Sequence, residues 1–243
     1  MNDLRNIYAT IQDNLGRTID LSLSEENLLA VGECHAFGND YDIWLKALAN
    51  NYESTVYQVA LDEYHCALLF LVSGLYRQAY DSIRFCLEQT LFGVFLSVNE
   101  LQFKLWERSK RDLHWAEIVD ADKGIYSQNF VTSYSPEFSD IAGELCKIAS
   151  QLYRELSEYI HGNPQALNTL SNKSYTFCEF CYNDIVFKIN SMKYLINMTF
   201  FIRYKEQLVI QQSLGYLEQI IIENIGSDPQ IQAFFNTIKY EEV

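Results

Sequence analysis

Three prolines and ten glycines are few for a chain of 243 residues. So little turn chemistry argues against a many-stranded β fold and for long helices. Metal-binding residues are sparse as well. There are four histidines, and the six cysteines at positions 34, 66, 86, 146, 178 and 181 are scattered. Cys178 and Cys181 form a lone CxxC with no second pair and no histidine beside it, so neither a zinc nor a redox role is expected there. Several of the other cysteines lie on apolar helical stretches, where a reduced thiol packs as a small hydrophobe, and a reducing compartment follows. Long apolar runs are also missing. The longest, such as Leu68 to Val72 and Ile220 to Ile222, fall far short of the roughly 20 residues of a membrane span. The opening MNDLRNIYATIQDN has no signal-peptide pattern, and we expect a cytoplasmic protein without membrane attachment. Basic residues are scarce too: 18 Lys and Arg against 32 Asp and Glu give a net charge of −14. That charge opposes any sequence-independent grip on a polyanion and excludes a general nucleic-acid coat protein. A nuclease with a locally basic cleft stays open, because only the field at the site must be positive.

What is present is apolar and aromatic, at 49% and 14% of the residues, enough for a substantial core and incompatible with disorder. The periodicity predicts an all-α antiparallel bundle. Residues 1–50 read as an N-terminal helical cap with stretches near Leu4 to Leu15 and Tyr41 to Ala49, a helix start near Ser24, and interruptions at Gly32, Gly38 and Asn39. His35 in this cap reads as structural or exposed. Residues 51–207 read as the main bundle. Its first core helix runs from Glu53 to Val72 and carries His65 as a packed or capped core histidine, and its second runs from Leu75 to Ser97. An insertion occupies about 100–139, with Leu101 to Val119 helical and Ala121 to Ser139 a loop; Trp115 and His114 anchor it or stack on a base. Gly162 to Ser174 reads as a polar loop and Tyr175 to Gln207 as the closing helix. Residues 208–243 add helices over Leu208 to Asn224 and Pro229 to Lys239.

The densest chemical signal is LYRELSEYIHGNP, Leu152 to Pro164. Arg154 and His161 are seven residues apart, within about 20° of two full turns, so they share one helix face roughly 10 Å apart along the axis. Leu145, Ile148, Ala149, Leu152, Leu156, Tyr159 and Ile160 form an apolar stripe nearly opposite them, while Lys147, Ser150, Ser157 and Glu158 lie on or beside the Arg/His face. Read from spacing alone, this is a solvated face with Arg154 paired to Glu158 and His161 at the negative end of the helix.

An arginine, six residues and a histidine on a helix ending His-Gly resemble the R-x(4 to 6)-H signature of the HEPN superfamily, named for higher eukaryotes and prokaryotes nucleotide-binding. GLYRQAYDSIRFCLEQTLFGVFL, in the second core helix, is also similar to that superfamily. The likeness extends from about Glu53 to Lys205. In this helix Arg77, Asp81, Arg84 and Glu88 form one charged stripe opposite Ala79, Ile83, Cys86, Leu87, Thr90 and Val94. They either support one another on a wet surface or, as the resemblance suggests, place Arg84 and Glu88 in the cleft of Arg154 and His161.

The resemblance implies a metal-independent endoribonuclease without cofactor, acting in toxin, antiviral defence or stress systems, with an antitoxin or larger defence complex as a candidate partner. Arg154 and His161 would be catalytic; Arg84, Glu88, Ser157 and Asn163 would support them or bind phosphate. The family's usual arrangement is a homodimer through the Arg154/His161 face, placing two motif helices across a cleft from an RNA substrate. Glu155 departs from the pattern: the residue after the motif arginine is commonly Asn, Asp or His, and a glutamate adds negative charge near a phosphate. Two other readings follow. One is a catalytically inactive HEPN-like module that binds a nucleotide or partner protein; the other is an acidic inhibitor that uses its charge of −14 to mimic nucleic acid.

Overall fold

The computed structural model describes residues 2–161, 163–170 and 175–241. In chain order they form α1 (Asn2–Ser22), α2 (Glu25–Ala47), α3 (Ser54–Val72), α4 (Tyr76–Leu96), α5 (Glu100–Glu107), α6 (Trp115–Ile118) and α7 (Gln128–Tyr134). A 3₁₀ helix (Pro136–Ile141) leads into α8 (Ala142–Ile160), α9 (Pro164–Leu170), α10 (Glu179–Ile210), α11 (Leu214–Ile225) and α12 (Pro229–Glu241). The described residues contain no strand, so the fold is all-α. No described helix is long and apolar enough to cross a membrane.

The bundle is built around α10, whose 32 residues span about 48 Å. Every residue from Leu195 to Ile202 is buried, so this stretch is covered on all sides, the environment of a helix that is apolar all round. Helix α4 packs against it and pairs with α3, whose Tyr57 reaches Tyr204 of α10, while α2 and α8 also pack on α10 and α8 covers α4 as well. The many tyrosines are largely interior, and their hydroxyls find partners, as buried phenols must. The Tyr57 and Tyr204 hydroxyls lie 2.6 Å apart, Tyr204 donates to the buried Glu53 carboxylate at 2.7 Å, and Trp44 donates to Asn197 at 2.9 Å. Tyr41 and Trp44 of α2, and Leu217 and Ile231 near the C-terminus, belong to the same core cluster.

The turn chemistry differs from the sequence expectation in several places. Gly32 and Gly38 do not interrupt the N-terminal segment, because α2 runs through both. Gly38 is there for closeness: a Cβ would stand 3.3 Å from Nε2 of His65 on α3. His65 itself is exposed rather than packed in the core. Leu101 to Val119 is not one helix. It breaks after Glu107, where Ser109 takes a φ of 52°, its N–H bonds to Trp106 O and the Lys110 N–H to Leu105 O, a helix-ending pattern that usually employs glycine. The expected loop of residues 121–139 contains α7, started by Ser127, whose hydroxyl accepts from the Phe130 N–H at 3.1 Å, and held by buried Phe130 and Val131. The polar stretch after the motif contains α9, which begins at Pro164; Gly162 and residues 171–174 lie outside the described residues. The closing helix starts later than expected and runs through Leu208 to Ile210.

The tightest joint is between α3 and α4 at Gly93, where a Cβ would fall 2.2 Å from Cε1 of Tyr57. Tyr57 is fully buried and tied to Tyr204, so it cannot swing aside cheaply. Gly93→Ala should therefore destabilise the fold by roughly 3 kcal/mol, the upper end for overpacking. Chemical denaturation would show this as a lowered midpoint; a neutral outcome would mean the two helices can separate without loss.

Candidate active site

Helix α8 forms as its pattern requires. Leu145, Ala149, Leu152 and Leu156 are buried, while Lys147, Gln151, Arg154, Glu158 and His161 are exposed on the opposite face. Arg154 and His161 therefore both reach solvent from one side. Among the described residues neither side chain makes a hydrogen bond or a salt bridge, and the Arg154–Glu158 pair that the spacing suggested is not formed. His161 is the residue that ends the helix, with its N–H bonded to Ser157 O at 3.0 Å.

The charged stripe of α4 runs antiparallel along one flank of α8, in step with it. Arg77 Nη2 donates to the Ile160 carbonyl at 3.3 Å, and Arg84 Nη2 donates to the Tyr153 hydroxyl at 3.0 Å; seven residues forward on α4 match seven backward on α8. The two halves of the stripe have different surroundings. Arg84 and Glu88 are paired at 3.3 Å with side chains only 16% and 18% exposed. The Arg84 guanidinium lies 4.8 Å from the centre of the Tyr153 ring, and that ring stacks on Trp115 at 4.0 Å. Tyr153 and Arg154 are consecutive and point about 100° apart, so Arg84 and Glu88 meet α8 on the flank rather than on the outer face. Burial pushes the Glu88 carboxyl up, against the pull of Arg84 and Tyr153. Nε of Arg84 is buried without a hydrogen-bond partner, an uncommon state for a guanidinium nitrogen. Arg77 and Asp81, by contrast, are exposed and line an open cleft of roughly 250 Å³ with Gln78 and Ile160.

The other flank of α8 is fixed by α10. The almost fully buried Lys188 ammonium bonds to Glu155 at 2.9 Å and pairs with Asp184 at 3.2 Å; Asp184 accepts from Tyr80 at 2.7 Å, and Tyr80 stacks on Tyr159 at 3.7 Å. Glu155 also accepts from Gln151 at 2.8 Å. Burial pushes the Glu155 carboxyl up, but the Lys188 and Gln151 bonds and the Lys188 and Arg154 charges outweigh it and hold it below the usual glutamate value. The glutamate after the motif arginine is thus turned towards a cation on α10.

Of the other residues singled out from the sequence, Ser157 is half-buried and its hydroxyl donates back to Tyr153 O at 2.6 Å. The half-buried Asn163 places its N–H on Glu158 O at 3.2 Å, extending the end of α8. Trp115 takes the anchoring role, tying the inserted segment to α8 through Tyr153, while His114 is exposed at the start of α6. Cys34, Cys66, Cys86 and Cys146 are free thiols. Among the described residues, no three His, Cys, Asp or Glu side chains are grouped so as to hold a metal ion.

No family model, curated protein or solved structure matches the chain. Sequence reasoning placed Arg77 on the stripe but not at the end of the motif helix, and it missed Lys188. Both depend on the register between helices distant in the chain. The one available signal for Lys188 was a lysine in an otherwise apolar run, Ile185 to Ile189, four residues after Asp184.

Proposed function

We propose that this chain is a metal-independent endoribonuclease that cleaves RNA by attack of the 2′-hydroxyl on the adjacent phosphorus. The observation that carries the reading is the presentation of Arg154 and His161, unpaired among the described residues and on one solvent-facing side of a helix clamped on both flanks. A guanidinium supplies paired donors for the charge that develops on the phosphorane, and an imidazole exchanges a proton near neutral pH. The 2′ oxygen forms a bond to phosphorus and loses its proton to a base; the bond from phosphorus to the 5′ oxygen breaks, and that oxygen gains a proton. The products are a 2′,3′-cyclic phosphate and a 5′-hydroxyl. One Arg/His pair is a sparse site for two proton transfers, and a two-fold dimer through the outer face of α8 doubles it, so that one imidazole takes the 2′ proton while the other protonates the leaving oxygen. That face carries Lys147, Gln151, Arg154 and Glu158, so the dimer contact is polar and weakens with salt. A cytoplasmic toxin or antiviral defence role is the setting this chemistry suits.

One observation favours the second reading, a non-catalytic HEPN-like module that binds a nucleotide or partner protein: Arg84 is already neutralised by Glu88, which leaves Arg154 with less cationic support. The deciding experiment incubates the wild-type protein and Arg154→Ala with a tRNA or total-RNA pool in EDTA and analyses the product ends. The expected result is cleavage by wild type that leaves cyclic phosphate and 5′-hydroxyl ends and is lost in the variant. Equal cleavage by both overturns the site, and no cleavage by either shifts the assignment to the binding module.

A further inference from the structure

We infer that Arg77 is a phosphate-binding residue of this site, and that single-stranded RNA lies across the cleft between the start of α4 and the end of α8; this rests on the ribonuclease reading above. The geometry points there for three reasons. Arg77 is exposed and, although Asp81 stands four residues on, the pair is not joined by a salt bridge; one Nη instead bonds the Ile160 carbonyl, next to the residue that carries the catalytic imidazole. A single contact through one Nη leaves further donors of the guanidinium fork for an anion. The cleft it lines, roughly 250 Å³ and open to solvent, is walled by Arg77, Gln78, Asp81 and Ile160, so a phosphate there would sit at the His161 end of α8. Arg84, the more obvious candidate, is paired with Glu88 and largely covered, and so is less available than Arg77.

Asp81 gives the inference a second handle, because its carboxylate lines the same cleft and opposes a phosphate. Arg77 and Asp81 should therefore act on RNA binding with opposite signs, which a helix-capping role for Arg77 would not produce. The experiment measures the fluorescence anisotropy of a short labelled single-stranded RNA over a range of salt. It uses the full chain with His161→Ala, to prevent cleavage, alone and combined with Arg77→Gln, Arg77→Lys or Asp81→Asn.

Arg77→Gln is expected to weaken binding about fivefold at low salt and to reduce the slope of log affinity against log salt by about 0.7, the value of one single-strand phosphate contact. Arg77→Lys should retain the slope, and Asp81→Asn should tighten binding. An unchanged slope in Arg77→Gln, with only a lowered melting temperature, would reduce Arg77 to a helix cap and overturn the inference. So would an Asp81→Asn variant with unaltered affinity. If the His161→Ala parent binds no RNA and wild type cleaves none, the ribonuclease reading fails and takes this inference with it. If wild type cleaves while both substitutions are silent, only the inference fails.

Discussion

His161→Ala should lower RNA cleavage by roughly 10²- to 10⁴-fold, the usual contribution of a positioned acid–base group, and leave the fold intact. The structure separates the two effects. Among the described residues the exposed imidazole makes no side-chain hydrogen bond or salt bridge, and the residue's backbone N–H bonds to Ser157 O at the end of α8. Alanine keeps that bond. Substitutions at such positions usually change stability by no more than about 0.5 kcal/mol, so melting curves of variant and wild type should overlay while cleavage rates diverge. Arg154→Ala should behave alike, and Arg154→Lys should recover little, since an ammonium cannot reproduce a planar two-point contact with phosphate oxygens. Single-turnover cleavage of a defined RNA at matched folded concentration is the measurement. Activity equal to wild type in folded His161→Ala would remove His161 from the chemistry.

The helical class and the motif helix were legible because both rest on local rules. The spacing of Leu145, Ala149, Leu152 and Leu156 puts them inward, and all four are buried. The solvent side of Arg154 and His161 followed from the same wheel. The errors arose where one residue type serves two purposes. Glycine breaks helices and also lets them approach, and at Gly38 and Gly93 it does the second. Serine rarely takes a positive φ, so nothing local marked the turn at Ser109. The α4 stripe was visible, but whether it faced water or α8 depended on an antiparallel register that no single helix encodes. That register sends Arg84 onto Tyr153 and leaves Arg77 at the end of the motif helix. Sequence spacing identified which charges lie together; tertiary packing decided which of them stay available.

The buried lysine carries a stability prediction as large as that for Gly93→Ala: Lys188→Met should cost about 3 kcal/mol, the lower end for removing one partner of a buried pair. The lower end applies because Glu155 and Asp184 are 31% and 24% exposed and water relieves part of their repulsion. Burial on its own pushes the Lys188 ammonium towards deprotonation, but Glu155 and Asp184 outweigh it and hold it above the ordinary lysine value. The pH dependence follows with a definite sign. The raised Lys188 group stabilises fully below its unfolded value, and that contribution disappears as pH rises through the folded one. The lowered Glu155 group stabilises above the ordinary glutamate value, and its share disappears as pH falls through the folded one. Between those limits wild type should exceed Lys188→Met by a nearly constant margin, and the margin should shrink on both the acid and the strongly alkaline side. Adding Glu155→Gln to Lys188→Met should restore part of the loss, because it removes one of the two stranded carboxylates. Denaturant midpoints across pH measure this directly, and equal stability of Lys188→Met and wild type at neutral pH would show that the clamp contributes nothing. RNA affinity links the clamp to the site. With Lys188 gone, the Glu155 carboxylate beside Arg154 loses its cation, so Lys188→Met should bind RNA more weakly than wild type even where it is fully folded.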